Sequence, residues 1–275
     1  MSEAPPPAGG ALSPGHDPQA AYPPWAIWEA LLVFALFLGS QPLLALLGVE
    51  IARGFLPSEI PAAAARREVL RIVLPTMLPL VVLISHLMGW GAIFYLIAAR
   101  HRFSFSEGLR LRGMGGFRPG LFQRGILPIG GGMALQWGGR LIGELIHSSQ
   151  GLENLTSRYL ALGGWAIFLL AAMAVVMAPP LEEALFRGIL QPALKRRMGF
   201  PLAALAVTAA FTATHASQYI NYPPALVLIF VCGGILSLLR EAADSLWPPI
   251  LFHFGFNLAA MLPLLLFHEE ILRGL

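Results

Sequence analysis

Long apolar stretches, each about as long as a membrane-spanning helix, recur from residue 25 to residue 267 and constrain this chain more than any other feature. A helix needs about 20 predominantly apolar residues to cross the hydrocarbon core of a bilayer. Only 12% of the 275 residues are charged, whereas soluble domains carry about 25%. The sequence therefore predicts an all-α, polytopic membrane protein, a bundle of seven to eight transmembrane helices.

Seven stretches are apolar enough to be predicted spans. They are 25–47, 72–99, 125–146, 163–179, 201–216, 223–239 and 247–267. Glu29 interrupts the first span near a membrane end, where its carboxylate is expected to reach water. A further helical piece, 181–197, follows Pro179 and Pro180, which bend or break the chain. The sequence leaves open whether this piece continues the fourth span or lies separately at the interface.

Composition divides the chain into four parts. Residues 1–24 hold seven prolines and neither Lys nor Arg, which predicts a disordered Pro-rich tail and not a secretory signal. Residues 25–161 form the N-terminal transmembrane helices, and 162–267 form a transmembrane core that carries three polar motifs. Residues 268–275 are a short C-terminal tail.

The positive charge of the chain indicates topology, not a nucleic-acid partner. Ten of the 18 Lys and Arg residues lie in 48–71 and 100–124, where loop orientation and lipid headgroups account for them. With the N-terminus in the cytoplasm, 11 Lys and Arg fall on the cytoplasmic side and 6 on the other. This excess predicts a cytoplasmic N-terminus. The single cysteine, Cys232, excludes an internal disulfide.

Two adjacent glutamates follow a fully apolar run. Neighbouring helix positions differ by about 100° in direction, so Glu182 and Glu183 cannot do the same job. Glu183 and Arg187 share a helix face at i, i+4 and are suited to an ion pair, whereas Glu182 has no local counter-charge. A carboxylate without a partner inside a membrane is a candidate general base. The alternative is an interfacial helix start, where both acids favour the helix dipole.

Two further polar motifs lie on other apolar helices. His215 ends the short span 201–216, and Phe211, one turn earlier on the same face, is placed to pack against its ring. His253 and Asn257, also at i, i+4, share one face of the last span and must face the bundle or a cavity. Each motif alone also fits a purely structural role. Together they provide a base for water, a proton donor and oxyanion donors, which amide hydrolysis requires.

The three motifs resemble a known family of intramembrane proteases. In order they are EExxxR at 182–187, FxxxH at 211–215 and HxxxN at 253–257, flanked by "APPLEEALFRG" and "SLWPPILFHFGFN". This pattern is similar to that of the CAAX protease and bacteriocin-processing (CPBP) family, which includes the type II CAAX prenyl endopeptidases and bacterial immunity proteins. The resemblance covers roughly residues 162–267, and 1–161 carry no recognised signature.

The resemblance implies a role for each motif residue. Glu182 would be the general base that, with His215, positions and activates water. His253 and Asn257 would stabilise the oxyanion, while Glu183, Arg187 and Phe211 would support the site. The catalytic residues would be Glu182, His215, His253 and Asn257, in a cavity opening toward the cytoplasmic side.

No cofactor is firmly predicted. A divalent metal such as zinc would have Glu182, His215 and His253 as ligands, enough in number but not in a local HExxH arrangement. The predicted partners are membrane lipids and a substrate that is a CAAX-like prenylated protein, a peptide or a membrane-anchored precursor. Two alternatives stay open: a non-catalytic immunity or scaffold protein with the same bundle, and a transporter with Glu182 as its protonation site.

Overall fold

The protein is an all-α bundle, as expected. A computed structural model describes residues 23–54, 62–111, 125–146 and 164–274, and these ranges contain no β-strand. Residues 1–22, most of the predicted Pro-rich tail, lie outside these ranges. The helices are α1 Ile27–Arg53, α2 Ala62–Phe94, α3 Phe105–Gly108, α4 Leu127–Ile146, α5 Gly164–Ala172, α6 Ala178–Glu183, α7 Gln191–Thr214, α8 Ala216–Tyr219, α9 Pro223–Ala243 and α10 Trp247–Gly274.

Within the described residues, five stretches are long and apolar enough to cross a membrane. They are Ile27–Ile51, Leu78–Arg100, Ile167–Thr214, Pro223–Ala243 and Trp247–Leu266. The chain is therefore an integral, multi-pass membrane protein. The predicted span 125–146 is helical as α4 but is not among the five, because its glycines, Gln136, Arg140 and Glu144 lower its hydropathy.

The predicted fourth span and the piece 181–197 form one helical stretch, and the predicted fifth span follows it after a break. Wide π-helical turns, Met173–Met177 and Ala184–Leu190, join α5, α6 and α7, so the prolines Pro179 and Pro180 do not break the helix and 181–197 continues the fourth span. The interruption comes at Gly199, with φ 78° and ψ 169°. Glycine adopts this conformation without the steric strain of a side chain.

The chain turns back at Gly199. The rings of Phe186 and Phe211 lie 5.2 Å apart, although 25 residues of straight helix would separate them by roughly 37 Å. The guanidinium of Arg187 also lies 4.7 Å from the Phe211 ring. The segment 201–214 therefore returns alongside the helix that carries the glutamate pair, as a separate predicted span requires.

Three polar contacts hold α9 parallel to the helix that follows the glutamates. Arg187 Nη2 donates to the Gly233 carbonyl at 2.8 Å, and Gln191 Nε2 donates to the Ser237 carbonyl at 3.3 Å. Lys195 then pairs with Glu241. Each step advances four residues on both helices, so the two helices run in the same direction and in register.

Helices α4 and α10 touch backbone to backbone. A Cβ atom at Gly132 would overlap the Phe252 carbonyl oxygen, and one at Gly255 would overlap the Ile129 carbonyl oxygen. Gly255, which lies between His253 and Asn257, permits this close approach because it has no side chain. Small residues at such crossings are the usual route to tight helix packing in membranes.

The expectation that Glu29 reaches water is wrong. Glu29 is 6% exposed; its carboxylate accepts from the Ala26 backbone N–H at 2.8 Å and lies 3.1 Å from His101 Nε2. Arg100 Nε approaches the same carboxylate at 3.5 Å. His101 and Arg100 lie at the end of the second span, so the sequence of the first span could not reveal them as partners.

Candidate active site

The two adjacent glutamates differ sharply in environment. They lie at the end of α6, where the Glu183 side chain is fully buried and the Glu182 side chain keeps 19% of its surface exposed. Because consecutive helix residues point about 100° apart, Glu183 enters the packed interior and Glu182 lines a cavity. The structure thus separates the two carboxylates as the spacing predicted.

Glu183 contacts both Arg187, one turn further along its own helix, and His253 on α10. Its Oε1 accepts from Arg187 Nη1 at 3.0 Å, which is the expected i, i+4 ion pair. The same oxygen accepts from His253 Nδ1, also at 3.0 Å. This second contact, across 70 residues of sequence, was not predicted. Glu183 therefore orients a motif histidine as well as anchoring its own helix.

The orientation of His253 follows from that contact. A carboxylate oxygen of an ionised glutamate only accepts hydrogen bonds, so Nδ1 carries a proton and Nε2 is turned away from Glu183. Nε2 lies 3.8 Å from Glu182 Oε2, which is too long for a hydrogen bond but suits a bridging water. Among the described residues this Oε2 is buried and has no hydrogen-bond partner.

His215 follows the last residue of α7 and is oriented by its own turn. Nδ1 donates to the Phe211 carbonyl at 2.9 Å, with Thr214 Oγ1 at 3.2 Å. Since a carbonyl only accepts, Nε2 of the neutral ring is an acceptor. The ring lies 4.9 Å from that of Phe211, which confirms the predicted packing, and Phe211 also meets His253 edge-on at 5.6 Å.

Asn257 lies one turn beyond His253 on α10. Its Nδ2 donates to the Ala174 carbonyl at 2.8 Å, in the π-helical turn before α6. A carboxamide nitrogen carries two protons, so this contact fixes the side chain and leaves a second N–H. The contact also ties α10 to the segment that leads to Glu182.

One cavity of about 450 Å³ collects these groups. Its lining includes all four predicted catalytic residues, which are Glu182, His215, His253 and Asn257, together with Phe211. Glu183 and Arg187 are not on this lining. A cavity of this volume is within the range of small-molecule sites.

The cavity also has walls that the motif analysis missed. Gln41 on α1, His86 on α2, and Gln136 and Arg140 on α4 line it. Arg140 pairs with Glu144 at 2.8 Å, four residues further along α4. The only sequence signal for these residues is the presence of polar side chains within apolar helices.

The proposed metal ligands do not form a metal centre here. Within the described ranges no three His, Cys, Asp or Glu side chains are grouped closely enough to hold an ion. The Nδ1 atoms of His253 and His215 are held by Glu183 and the Phe211 carbonyl, which leaves each Nε2 as the nitrogen that could bind a metal. The three side chains are nevertheless not close enough together to form a three-ligand site.

Comparison with known proteins supports the resemblance seen in the motifs. Residues 164–259 match the family described as type II CAAX prenyl endopeptidase Rce1-like. This segment is about a third of the chain and contains all three motifs, so the resemblance to CAAX endopeptidases is confirmed over it. Neither the comparison with curated proteins nor that with solved structures found a match.

Proposed function

From the family match over residues 164–259, we infer that this chain is an intramembrane endopeptidase that hydrolyses a peptide bond with an activated water molecule. The observation that carries the proposal is the gathering of four motif side chains on one cavity, with Glu182 Oε2 and His253 Nε2 3.8 Å apart. A carboxylate and an imidazole at this distance can hold one water between them.

In the proposed mechanism Glu182 acts as general base, assisted by His215. Glu182 takes a proton from water, and the water oxygen attacks the peptide carbonyl to form a tetrahedral intermediate. When the intermediate collapses, the C–N bond breaks and Glu182 returns the proton to the leaving amine. Such positioned proton transfer contributes about 10²–10⁴-fold to rate.

His253 and Asn257 are the proposed oxyanion donors. His253 can donate from Nε2 when both ring nitrogens carry a proton, and the contact of Nδ1 with Glu183 orients the ring for this. Asn257 can donate through the amide proton that Ala174 does not bind. Donors fixed in advance at the site of developing charge are worth more than donors that must reorganise.

The proposed substrates are membrane-anchored. Apolar side chains cover much of the cavity wall, among them Ile167, Leu170, Phe256 and Leu264, which suits a peptide segment held near lipid. A CAAX-like isoprenylated protein fits this description, and so does a peptide or other membrane-anchored precursor. In our proposal the N-terminus lies in the cytoplasm, supported by the charge excess and by the basic cluster 195–197. The cluster does not support a cytoplasmic opening of the site, because Tyr219 and Tyr222, in the loop that this topology assigns to the other side, line the cavity.

The test is hydrolysis by purified protein. An isoprenylated CAAX peptide and a library of unmodified peptides are incubated with the wild-type protein in detergent, and cleavage is followed by mass spectrometry. We expect Glu182→Gln and His253→Ala to reduce turnover by at least about 10²-fold. Glu241→Gln is the matched control, because Glu241 lies in an exposed pair with Lys195, and such pairs contribute little.

Two outcomes would overturn the proposal. Full biological function of a Glu182→Ala variant in cells would favour an immunity or scaffold protein, and proton flux coupled to a transported solute would favour a transporter. A parallel reaction with chelator tests the metal question, since inhibition that added zinc reverses would show a metal requirement.

A further inference from the structure

His86 lies on α2, outside the matched segment, and lines the same cavity as Glu182. It is 5% exposed, and its ring meets Phe37 edge-on with centroids 5.7 Å apart. One turn further along α2, Gly89 packs against Leu181, with an ideal Cβ only 3.2 Å from the leucine methyl groups. His86 therefore borders the helix that carries the proposed base.

The hydrogen bond of the ring fixes its tautomer. Nδ1 lies 2.7 Å from the Val82 carbonyl oxygen, and a carbonyl oxygen only accepts, so Nδ1 carries the proton and Nε2 of the neutral ring is an acceptor. Among the described residues Nε2 is buried and has no hydrogen-bond partner. The neighbouring Ser85 differs, because its hydroxyl is satisfied by the Val81 carbonyl at 2.6 Å.

A buried acceptor without a donor is costly in a membrane protein and calls for an explanation. Glu182 Oε2 is in the same situation on the same cavity. In the proposed mechanism water supplies the donor for Glu182. A peptide in the cavity carries a row of backbone N–H donors, which are the groups that a neutral imidazole acceptor would bind.

We propose that His86 Nε2 forms a substrate subsite that accepts a hydrogen bond from one backbone N–H of the bound peptide. The inference rests on the proposed function and extends it, since it assigns part of substrate binding to an N-terminal helix. His86 is a binding residue in this proposal, so its loss raises KM and leaves kcat nearly unchanged.

Three substitutions separate binding from packing. His86→Gln places an amide oxygen near the position of Nε2 and keeps the acceptor. His86→Asn keeps a donor for the Val82 carbonyl but has no acceptor at the Nε2 position, and His86→Phe keeps only the ring against Phe37. Thermal unfolding of each variant measures any structural effect.

The experiment measures binding without cleavage. A dye-labelled isoprenylated CAAX peptide, and analogues in which each backbone N–H in turn is N-methylated, are titrated into Glu182→Gln protein with either wild-type His86, His86→Gln or His86→Asn. We expect one N-methyl position to weaken binding about tenfold with wild-type His86 and with His86→Gln, and to have no effect with His86→Asn. In protein that retains Glu182 and is therefore active, the KM values for the same peptides should rank in the same order as these binding affinities.

The possible results are distinct. If every N-methyl position has equal effects in all three backgrounds, or if the peptide does not bind, the subsite is wrong. A lower kcat with an unchanged KM in the His86→Asn variant would also overturn the subsite. If the coupling appears but the wild-type protein cleaves no peptide, the subsite stands and the proposed hydrolysis fails.

Discussion

His253 Nδ1 donates a hydrogen bond to Glu183 Oε1 at 3.0 Å, and the same oxygen accepts from Arg187 at 3.0 Å. Arg187 is in turn held by the Gly233 carbonyl on α9. One buried carboxylate oxygen thus connects three helical segments and sets the direction of the His253 ring. Glu183 is a positioning residue, because it acts on the site through His253.

The first prediction concerns the buried pair of Glu183 and Arg187. Glu183→Gln removes the charge that compensates Arg187, and breaking a buried pair costs about 3–5 kcal/mol. We expect a large fall in the thermal unfolding temperature for Glu183→Gln and for Arg187→Met, measured in detergent. Because the residues interact directly, the double variant should lose less stability than the two single losses combined. If the stability loss of the double variant equals the sum of the two single losses, Glu183 and Arg187 do not stabilise the protein as a pair.

The second prediction separates the two nitrogens of His253. His253→Asn retains a donor at the Nδ1 position for Glu183, so we expect near wild-type unfolding temperature, with kcat reduced about 10²–10³-fold by loss of the Nε2 donor. His253→Gln retains a donor near Nε2 and loses the Glu183 contact, so it should lower the unfolding temperature more and kcat less. Equal effects of the two variants on both quantities would argue against the separate roles.

The third prediction concerns the contact between α4 and α10. Gly132→Ala forces the new methyl group into the Phe252 carbonyl, and such overpacking costs about 1–3 kcal/mol. Gly138 lies on the same helix with nothing within 4 Å of an added Cβ, so Gly138→Ala is the control. We expect the control to gain about 0.5–1 kcal/mol, because alanine favours a helix over glycine. Unfolding of both variants in detergent gives the comparison.

The fourth prediction tests the proposed orientation. The chain has one cysteine, Cys232, which is 1% exposed, so an introduced cysteine can be labelled against little background. Ser2→Cys and Lys195→Cys should react with a membrane-impermeant maleimide only after the cells are opened. Arg158→Cys, in the loop assigned to the other side, should react in intact cells. The reverse pattern would place the N-terminus and Lys195 outside.

The sequence alone determined the class of the protein and the list of motif residues. Apolar stretches of spanning length leave few folds open, because backbone polar groups in lipid must be paired within helices. Local spacing likewise predicted the Glu183–Arg187 pair and the packing of Phe211 against His215, since both are i, i+4 relationships.

The tertiary structure alone decided which distant groups meet. The contacts of Glu183 with His253 and of Glu29 with His101 join residues 70 and 72 positions apart, and no helical period encodes such pairs. The same holds for His86. The sequence predicts a polar side chain in an apolar helix, but it does not show that this side chain lines a cavity. Local chain geometry fixes which side chains share a helix face, whereas the packing of helices across the bundle fixes what that face contacts.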